Sequence, residues 1–218
     1  MKQVVGIGAG GHSRVVIDIV RLNGRYEVVA LLDRESGLWG SYVLDVPVLG
    51  NDDLLPKLHG EAVTHAFIGV GGVGDTGLRR RLYEMVSEHG FEMVRAIHPK
   101  ATVAASAVLG RGPTVMANAV INPEARLGDN VVVNTSAVVE HGCIIEDHAH
   151  IATGAHLGGD VRVGSGSHIG IGASVRQAVS VGRGAVVGAG AAVVSDVPDF
   201  AVVAGVPARP LKVATPDG

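Results

Sequence analysis

The sequence predicts two domains in series. Residues 1–96 form a small α/β domain with a Rossmann-like parallel sheet, and residues 97–218 form a parallel β-helix of hexapeptide repeats. Three observations carry this reading. An aliphatic residue recurs at every sixth position from Ile97 to Val193, 17 times without exception. A glycine-rich turn, Gly6-Ile7-Gly8-Ala9-Gly10-Gly11, follows a short apolar run and opens an amphipathic one. Glycine supplies 32 of the 218 residues and aromatics only 3%, so the core is built from small aliphatic side chains over many tight turns.

In chain order, Gln3–Ile7 with Gly8 reads as a buried strand and the glycine turn follows it. Ser13–Leu22 carries Val15, Val16, Ile19 and Val20 at helical spacing, and Asn23-Gly24 closes that helix. Tyr26–Asp33 is the second strand, Asp52–Leu58 a short helix, Thr64–Val70 a third strand, Thr76–His89 an amphipathic helix and Phe91–Ile97 a fourth strand. Alternation of strands and helices implies a parallel sheet.

From Ile97 the six-residue period takes over. If about a third of positions were Val, Ile or Leu, a run of this length would arise by chance about once in 10⁸ trials. Four residues after each aliphatic the side chain is usually small, as at Ala119, Ala137, Cys143, Ala155 and Ala173; Pro113 is the misfit, and Val131, Val161 and Val179 are larger. Each hexad is a short strand and a turn, and three hexads close one triangular coil. The aliphatic fills the prism and the small residue lets the chain turn. The register ends at Asp199, and Gly205, Pro207 and Pro210 in the tail indicate an extended segment that leaves the prism and covers its last coil.

A net charge of −3 supplies no basic surface for nucleic acid or an anionic membrane. One cysteine excludes an internal disulfide framework, and no apolar run approaches the ~18 residues of a membrane helix. The first residues read as a strand and a glycine loop instead of a signal peptide, so the expected location is the cytoplasm.

Two regions can carry chemistry. The first turn satisfies G-x-G-x-x-G, and Asp33 ends the next strand about 20 residues on, the pattern of a nucleotide-phosphate site. A second glycine turn, Gly69-Val70-Gly71-Gly72, follows another strand and belongs at the same sheet edge, with Arg79 behind it either facing a phosphate or lying on a solvated helix face. The repeat holds His141, His148, His150, His156 and His168. His141 lies two residues past Val139, near a corner and outward, where a neutral imidazole can act as a general base near pH 7; an ordinary surface histidine is the alternative. Cys143 occupies a small-residue position and reads as buried core.

GAGGHS after the first strand, LLD at the second, NTSAVVEHGCIIEDHAHIATGAHLGGDVRVG and the ending VVAGVPAR resemble the sugar-nucleotide acyltransferases of the left-handed β-helix superfamily. These include the N-acetyltransferases of bacterial amino-sugar pathways and the related sialic acid O-acetyltransferases. The resemblance covers essentially the whole chain and implies the left hand of the helix, acetyl-CoA as co-substrate, no metal, and a homotrimer with active sites between adjacent prisms. It implies a nucleotide-linked amino sugar held by Gly8, Gly10, Gly11, His12, Ser13, Asp33 and Gly71, with Asn118 and Asn134 near the sugar. It implies His141 as catalytic base, and His150, Gly159, Gly170, Ile171, Gly188, Ala189 and Arg209 toward acetyl-CoA. A zinc enzyme on the same prism would need a His-x4-His pair, and the spacing from His150 to His156 is one residue too long.

One departure stands out. Many members of the family place an acidic residue directly after the catalytic histidine, where this chain has Gly142. An amine acceptor needs only to be unprotonated when it attacks, whereas an alcohol needs stronger activation; the glycine therefore favours N- over O-acetylation. An O-acetyltransferase and a non-catalytic sugar-nucleotide sensor remain the alternatives.

Overall fold

The structure is a computed structural model and describes residues 1–213. The chain divides into two compact units, Met1–Gly71 with Leu78–Pro99, and Gly72–Gly77 with Lys100–Gly218. The short segment Gly72–Gly77 belongs to the second unit, a detail that a single break after residue 96 does not contain. Residues 214–218 of the expected tail lie outside the described residues. Among the described residues no helix is long and apolar enough to cross a membrane.

The first unit holds β1 (Lys2–Ile7), α1 (Gly11–Leu22), β2 (Tyr26–Leu32), β3 (Tyr42–Val43), β4 (Val46–Gly50), α2 (Leu55–Gly60), β5 (His65–Ile68), α3 (Gly77–Glu88, all but its first residue) and β6 (Glu92–Met93). Its sheet runs β3-β4-β2-β1-β5-β6, parallel except for the β3–β4 pair. Successive crossovers leave β1 toward opposite sides, which with right-handed connections makes the C-terminal end of β1 a topological switch point. Val5, Ile7, Leu32 and Ile68 meet Leu55, Leu58, Tyr83 and Val86 in one core.

The β3–β4 hairpin is not legible in the sequence. Its turn residues Leu44 and Asp45 have φ of 47° and 63°, the primed geometry that usually announces itself through Asn-Gly or Asp-Gly. Here Leu-Asp adopts that geometry without the usual signal. The expected fourth strand is broken, with β6 at Glu92–Met93 and a separate pair at Ala96–Ile97.

The second unit is a left-handed parallel β-helix. Its strands are two residues long, and each pairs in parallel with the strand 18 residues away: Val120–Ile121 with Val138–Val139, then with His156–Leu157. The other two faces repeat this through Val132–Val133, His150–Ile151 and His168–Ile169, and through Arg126–Leu127, Ile144–Ile145 and Arg162–Val163. Every sixth-position aliphatic from Val115 to Val193 is at most 3% exposed. Val103 and Leu109, on the first coil, are half-buried.

Corners fall three residues after each aliphatic and lie in the left-handed region: Asn118 at φ 57°, Gly142 at 67°, Asp160 at 60°, Ala178 at 61°. The glycines one residue past the aliphatic have a different reason. A Cβ on Gly170 would stand 2.5 Å from the Val187 carbonyl oxygen and 2.7 Å from the Ala189 nitrogen, so the next coil leaves no room for a side chain. The tail does not leave the prism at once. Ala201–Ala204 adds a parallel rung to Val186–Val187, and Arg209–Val213 returns antiparallel to it.

Candidate active site

In the first unit the two glycine turns meet at the C-terminal sheet edge. Gly8, at φ 103°, leaves β1, and a Cβ there would press on Val70 Cγ2 at 2.8 Å. Ser13 Oγ is buried and donates to the Gly8 carbonyl at 2.7 Å. Its place in the site is thus structural: it closes the glycine turn from the first turn of α1. Gly10 and Gly11 are exposed, and a Cβ at either position would have nothing within 4 Å. The α1 N-terminus carries no side-chain cap and no acid in its first turn, which leaves its N–H groups available to an anion.

Asp33 anchors the other wall. Its Oδ2 accepts the Ala9 N–H at 2.8 Å and its Oδ1 the Glu35 N–H at 2.9 Å. A cavity of about 160 Å³ opens here, lined by Gly8, Leu32, Asp33, Arg34, Asp52 and Val70 among others. Asp52 is a member that sequence reasoning misses; burial, then the neighbouring Asp33 and Asp53, push its carboxyl above the usual range. No motif marks it, because β4 and the turn after it bring it to Asp33.

Arg79 corrects both expectations for it. It is 1% exposed, and Nη1 donates to the carbonyls of Val70 at 2.7 Å and Ile68 at 3.0 Å. His12 Nε2 lies 3.4 Å from the same nitrogen, and a Cβ on Gly71 would pack 3.5 Å from His12 Nδ1. Burial pushes the guanidinium down to about 9. Arg79 is therefore the internal strut of the second glycine turn, facing neither phosphate nor solvent.

In the second unit the expected residues separate onto two edges of the prism. His141 and Gly159 share the edge of corners Gly142, Asp160 and Ala178. Asn118, Asn134, Gly170, Ile171, Gly188 and Ala189 share the next, with corners Asn118, Gly172 and Gly190. The two groups therefore lie at different corners of one prism, with a side of the triangle between them.

His141 is exposed at its corner. The Cε1–Nε2 side of its ring lies against Gly159 of the next coil, since a Cβ there would stand 2.6 Å from both atoms. Among the described residues neither ring nitrogen of His141 nor the N–H of Gly159 makes a hydrogen bond. The site thus presents a free imidazole beside a free backbone donor. Cys143 is buried, its Sγ 3.2 Å from the Gly158 carbonyl oxygen, and burial pushes its thiol up to about 11; it is core, as its repeat position implies.

His150 is 3% exposed. Its Nδ1 lies 2.7 Å from the Gly72 carbonyl oxygen and its Nε2 3.2 Å from Asn134 Nδ2. This arrangement fixes the Nδ1–H tautomer and spends the ring on holding the Gly72–Gly77 segment, to which Thr76 Oγ1 adds a bond to the Gly166 carbonyl at 2.9 Å. His150 is therefore covered, while Asn134 is half-buried beside it. His168 stacks edge-on to His150 with ring centroids 4.9 Å apart. Ile171 is 60% exposed and Arg209 is exposed, each open to a ligand. No group of three metal-ligating side chains comes together among the described residues.

Comparison with known proteins decides the family. A crystal structure of a histidine variant of perosamine N-acetyltransferase from Caulobacter crescentus, in complex with CoA and GDP-perosamine, matches with a TM-score of 0.91 and 39% identity over 97% of this chain and 98% of that one. The chain belongs to the left-handed β-helix sugar-nucleotide N-acetyltransferases. The acetyltransferase domain of PglB from Neisseria gonorrhoeae, in complex with acetyl coenzyme A, matches with a TM-score of 0.87 and 41% identity over 96% and 99% of the two chains. The family models that match are the PglD N-terminal domain, over residues 3–86, and the bacterial transferase hexapeptide (six repeats), over residues 124–159. UDP-N-acetylbacillosamine N-acetyltransferase of Bacillus subtilis is 34% identical over 119 residues, 54% of this chain, and the match spans about half (52%) of that relative. The family and fold expected from the repeat, the glycine loop and the VVEH segment are thus borne out.

Proposed function

We propose that this chain is an acetyl-CoA-dependent N-acetyltransferase acting on the amino group of a nucleotide-linked 4-amino-4,6-dideoxy sugar such as GDP-perosamine. The observation that carries this is the unengaged His141 imidazole lying against Gly159. The neutral amine attacks the thioester carbonyl in a ternary complex. The N–C bond forms and the carbonyl electrons move onto oxygen, where the Gly159 N–H stabilises the charge. His141 takes the proton that the new ammonium sheds. The C–S bond then breaks, and the thiolate leaves as the thiol after regaining a proton. Holding both substrates in line supplies much of the rate.

Gly8, Gly10, Gly11, His12, Ser13, Asp33 and Gly71 form the nucleotide-binding half, with Ser13 and Asp33 shaping the loop from within. Asn118, Asn134, Gly170, Ile171, Gly188, Ala189 and Arg209 serve the sugar and acetyl-CoA. The separation of His141 from this edge in one prism supports a homotrimer, in which one prism's His141 edge meets the neighbour's Ile171 edge. The proposed site of action is the cytoplasm.

Thiol release from acetyl-CoA by the purified protein tests the proposal, against GDP-perosamine, UDP-4-amino-4,6-dideoxy sugars and sialic acid. Turnover with an amino-sugar nucleotide, lost in His141→Ala and His141→Asn, is the expected result. Full kcat/KM in both variants sinks the role of His141; turnover with sialic acid alone moves the chemistry to an alcohol.

A further inference from the structure

The residue after His141 is Gly142, yet the space beside it is not empty. Gly142 sits at a left-handed corner with φ 67°, and Asp160 occupies the same corner one coil on, with φ 60°. The Asp160 side chain folds back over Gly142: a Cβ on residue 142 would collide with Asp160 Oδ1. Asp160 also donates its N–H to the His141 carbonyl at 2.9 Å. A carboxylate thus stands where the side chain of residue 142 would begin. Residue 142 follows His141 directly, with Cα atoms ~3.8 Å apart, so the carboxylate flanks the histidine's own position in the chain.

A second observation separates Asp160 from other aspartates of the repeat. Asp129, Asp147, Asp196 and Asp199 each accept a backbone N–H from a neighbouring coil, those of Arg111, Asp129, Ser180 and Arg183, at 2.7 to 2.8 Å. These are structural caps. The Asp160 carboxylate makes no such bond among the described residues. Glu140, the other acid at this corner, has Oε2 3.2 Å from the His141 backbone nitrogen. Asp160 is therefore the acid left uncommitted beside the histidine.

We infer that Asp160 is the positioning residue for His141. From the neighbouring coil, and without a hydrogen bond to the ring in the free protein, its charge favours the proton of the neutral imidazole on Nδ1, leaves Nε2 as the basic atom, and balances the charge when the ammonium proton arrives. Since Nε2 and Cε1 already lie against Gly159, this tautomer sets the lone pair beside the residue whose N–H is proposed to meet the oxyanion. The inference rests on the reading of His141 as the base, and it goes beyond it by naming the carboxylate that replaces the missing acid at position 142. It also explains why that position is glycine: any Cβ there would displace Asp160.

The test uses the full chain and Asp160→Asn, which keeps shape and removes charge. The ¹⁵N signals of the His141 ring, read in the free protein at neutral pH, report the tautomer without any substrate. Wild type is expected to show Nδ1–H in excess and Asp160→Asn a more even mixture; unchanged signals overturn the inference. In thiol-release assays Asp160→Asn is expected to lose about 10-fold or more in kcat, with both KM values within about twofold and the thermal midpoint unchanged. In a His141→Ala background the same substitution should have no further effect, because the two act as a unit. An equal loss in both backgrounds makes Asp160 independent of the ring and overturns the inference. The pair Gly142→Asp with Asp160→Gly moves the acid to the histidine's own coil and is expected to recover activity. Loss in His141→Ala with full activity in Asp160→Asn refutes only the role of Asp160; full activity in His141→Ala refutes the base itself.

Discussion

Adding one methyl group at Gly159 should disable the site without harming the fold. The Cβ of Gly159→Ala would lie 2.6 Å from Cε1 and Nε2 of His141, against an ordinary carbon contact of ~3.5–4.0 Å. The shortfall is about 1 Å, and the exposed ring, not the prism backbone, is what can yield. Gly159 is not at a left-handed φ, so alanine adds no backbone strain and, by restricting the unfolded chain, stabilises by ~0.4–1 kcal/mol if anything. A displacement of ~1 Å at a reacting group can lower the rate by ~10²-fold, equivalent to ~2.7 kcal/mol of transition-state stabilisation. Thiol-release kinetics should therefore show kcat/KM falling by about 10- to 100-fold while the thermal midpoint holds or rises. Gly164→Ala is the contrasting case. Its Cβ would meet the Arg183 nitrogen at 2.5 Å and the Gly182 carbonyl carbon at 2.8 Å, and backbone cannot step aside, so stability drops and the folded fraction keeps its kcat. Full kcat/KM in Gly159→Ala would show that the ring does not react from the position against the next coil.

Leu157, 1% exposed inside the prism, should cost ~2–5 kcal/mol as Leu157→Ala, read as a lower urea midpoint at unchanged slope. Gly10→Ala meets nothing within 4 Å, so its melting temperature should not move; if the loop holds phosphate through close backbone approach, the KM for the sugar nucleotide should rise about 10-fold or more while that for acetyl-CoA stays level. His168, buried at 5% exposure, has its imidazole pushed below the usual 6.5 by desolvation. The unfolded chain then binds a proton that the folded one refuses, so His168 lowers stability as pH falls from 6.5 through its folded value, by at most ~1.4 kcal/mol per pH unit. Denaturation midpoints of His168→Gln should fall less steeply over that window; an identical slope would place the acid sensitivity elsewhere, with His65, also pushed down by burial, the next residue to replace.

Much of this protein is legible in the sequence because its repeat is local and strict. The six-residue period sets which side chains face inward, and a prism three hexads around can be closed in only one register, so the positions of Val139, Cys143 and outward His141 follow by counting. The glycine turn after β1 is equally local, since its geometry depends on a few consecutive residues. What the sequence could not determine are meetings between residues whose separation carries no periodic signal. Asp52 reaches Asp33 through a hairpin whose Leu44-Asp45 turn lacks the usual residues, and Arg79 disappears beneath the second glycine turn, where the Ile68 and Val70 carbonyls accept its N–H groups. His150, which the resemblance places toward acetyl-CoA, is covered by Gly72, which lies far away in the chain. The division of the acetyl-CoA and base residues onto separate edges follows from the same count, because each coil closes after 18 residues. The period also puts Asp160 and Gly142, eighteen residues apart, at one corner, but only the structure shows the Asp160 carboxylate folded into the room that the absent side chain leaves.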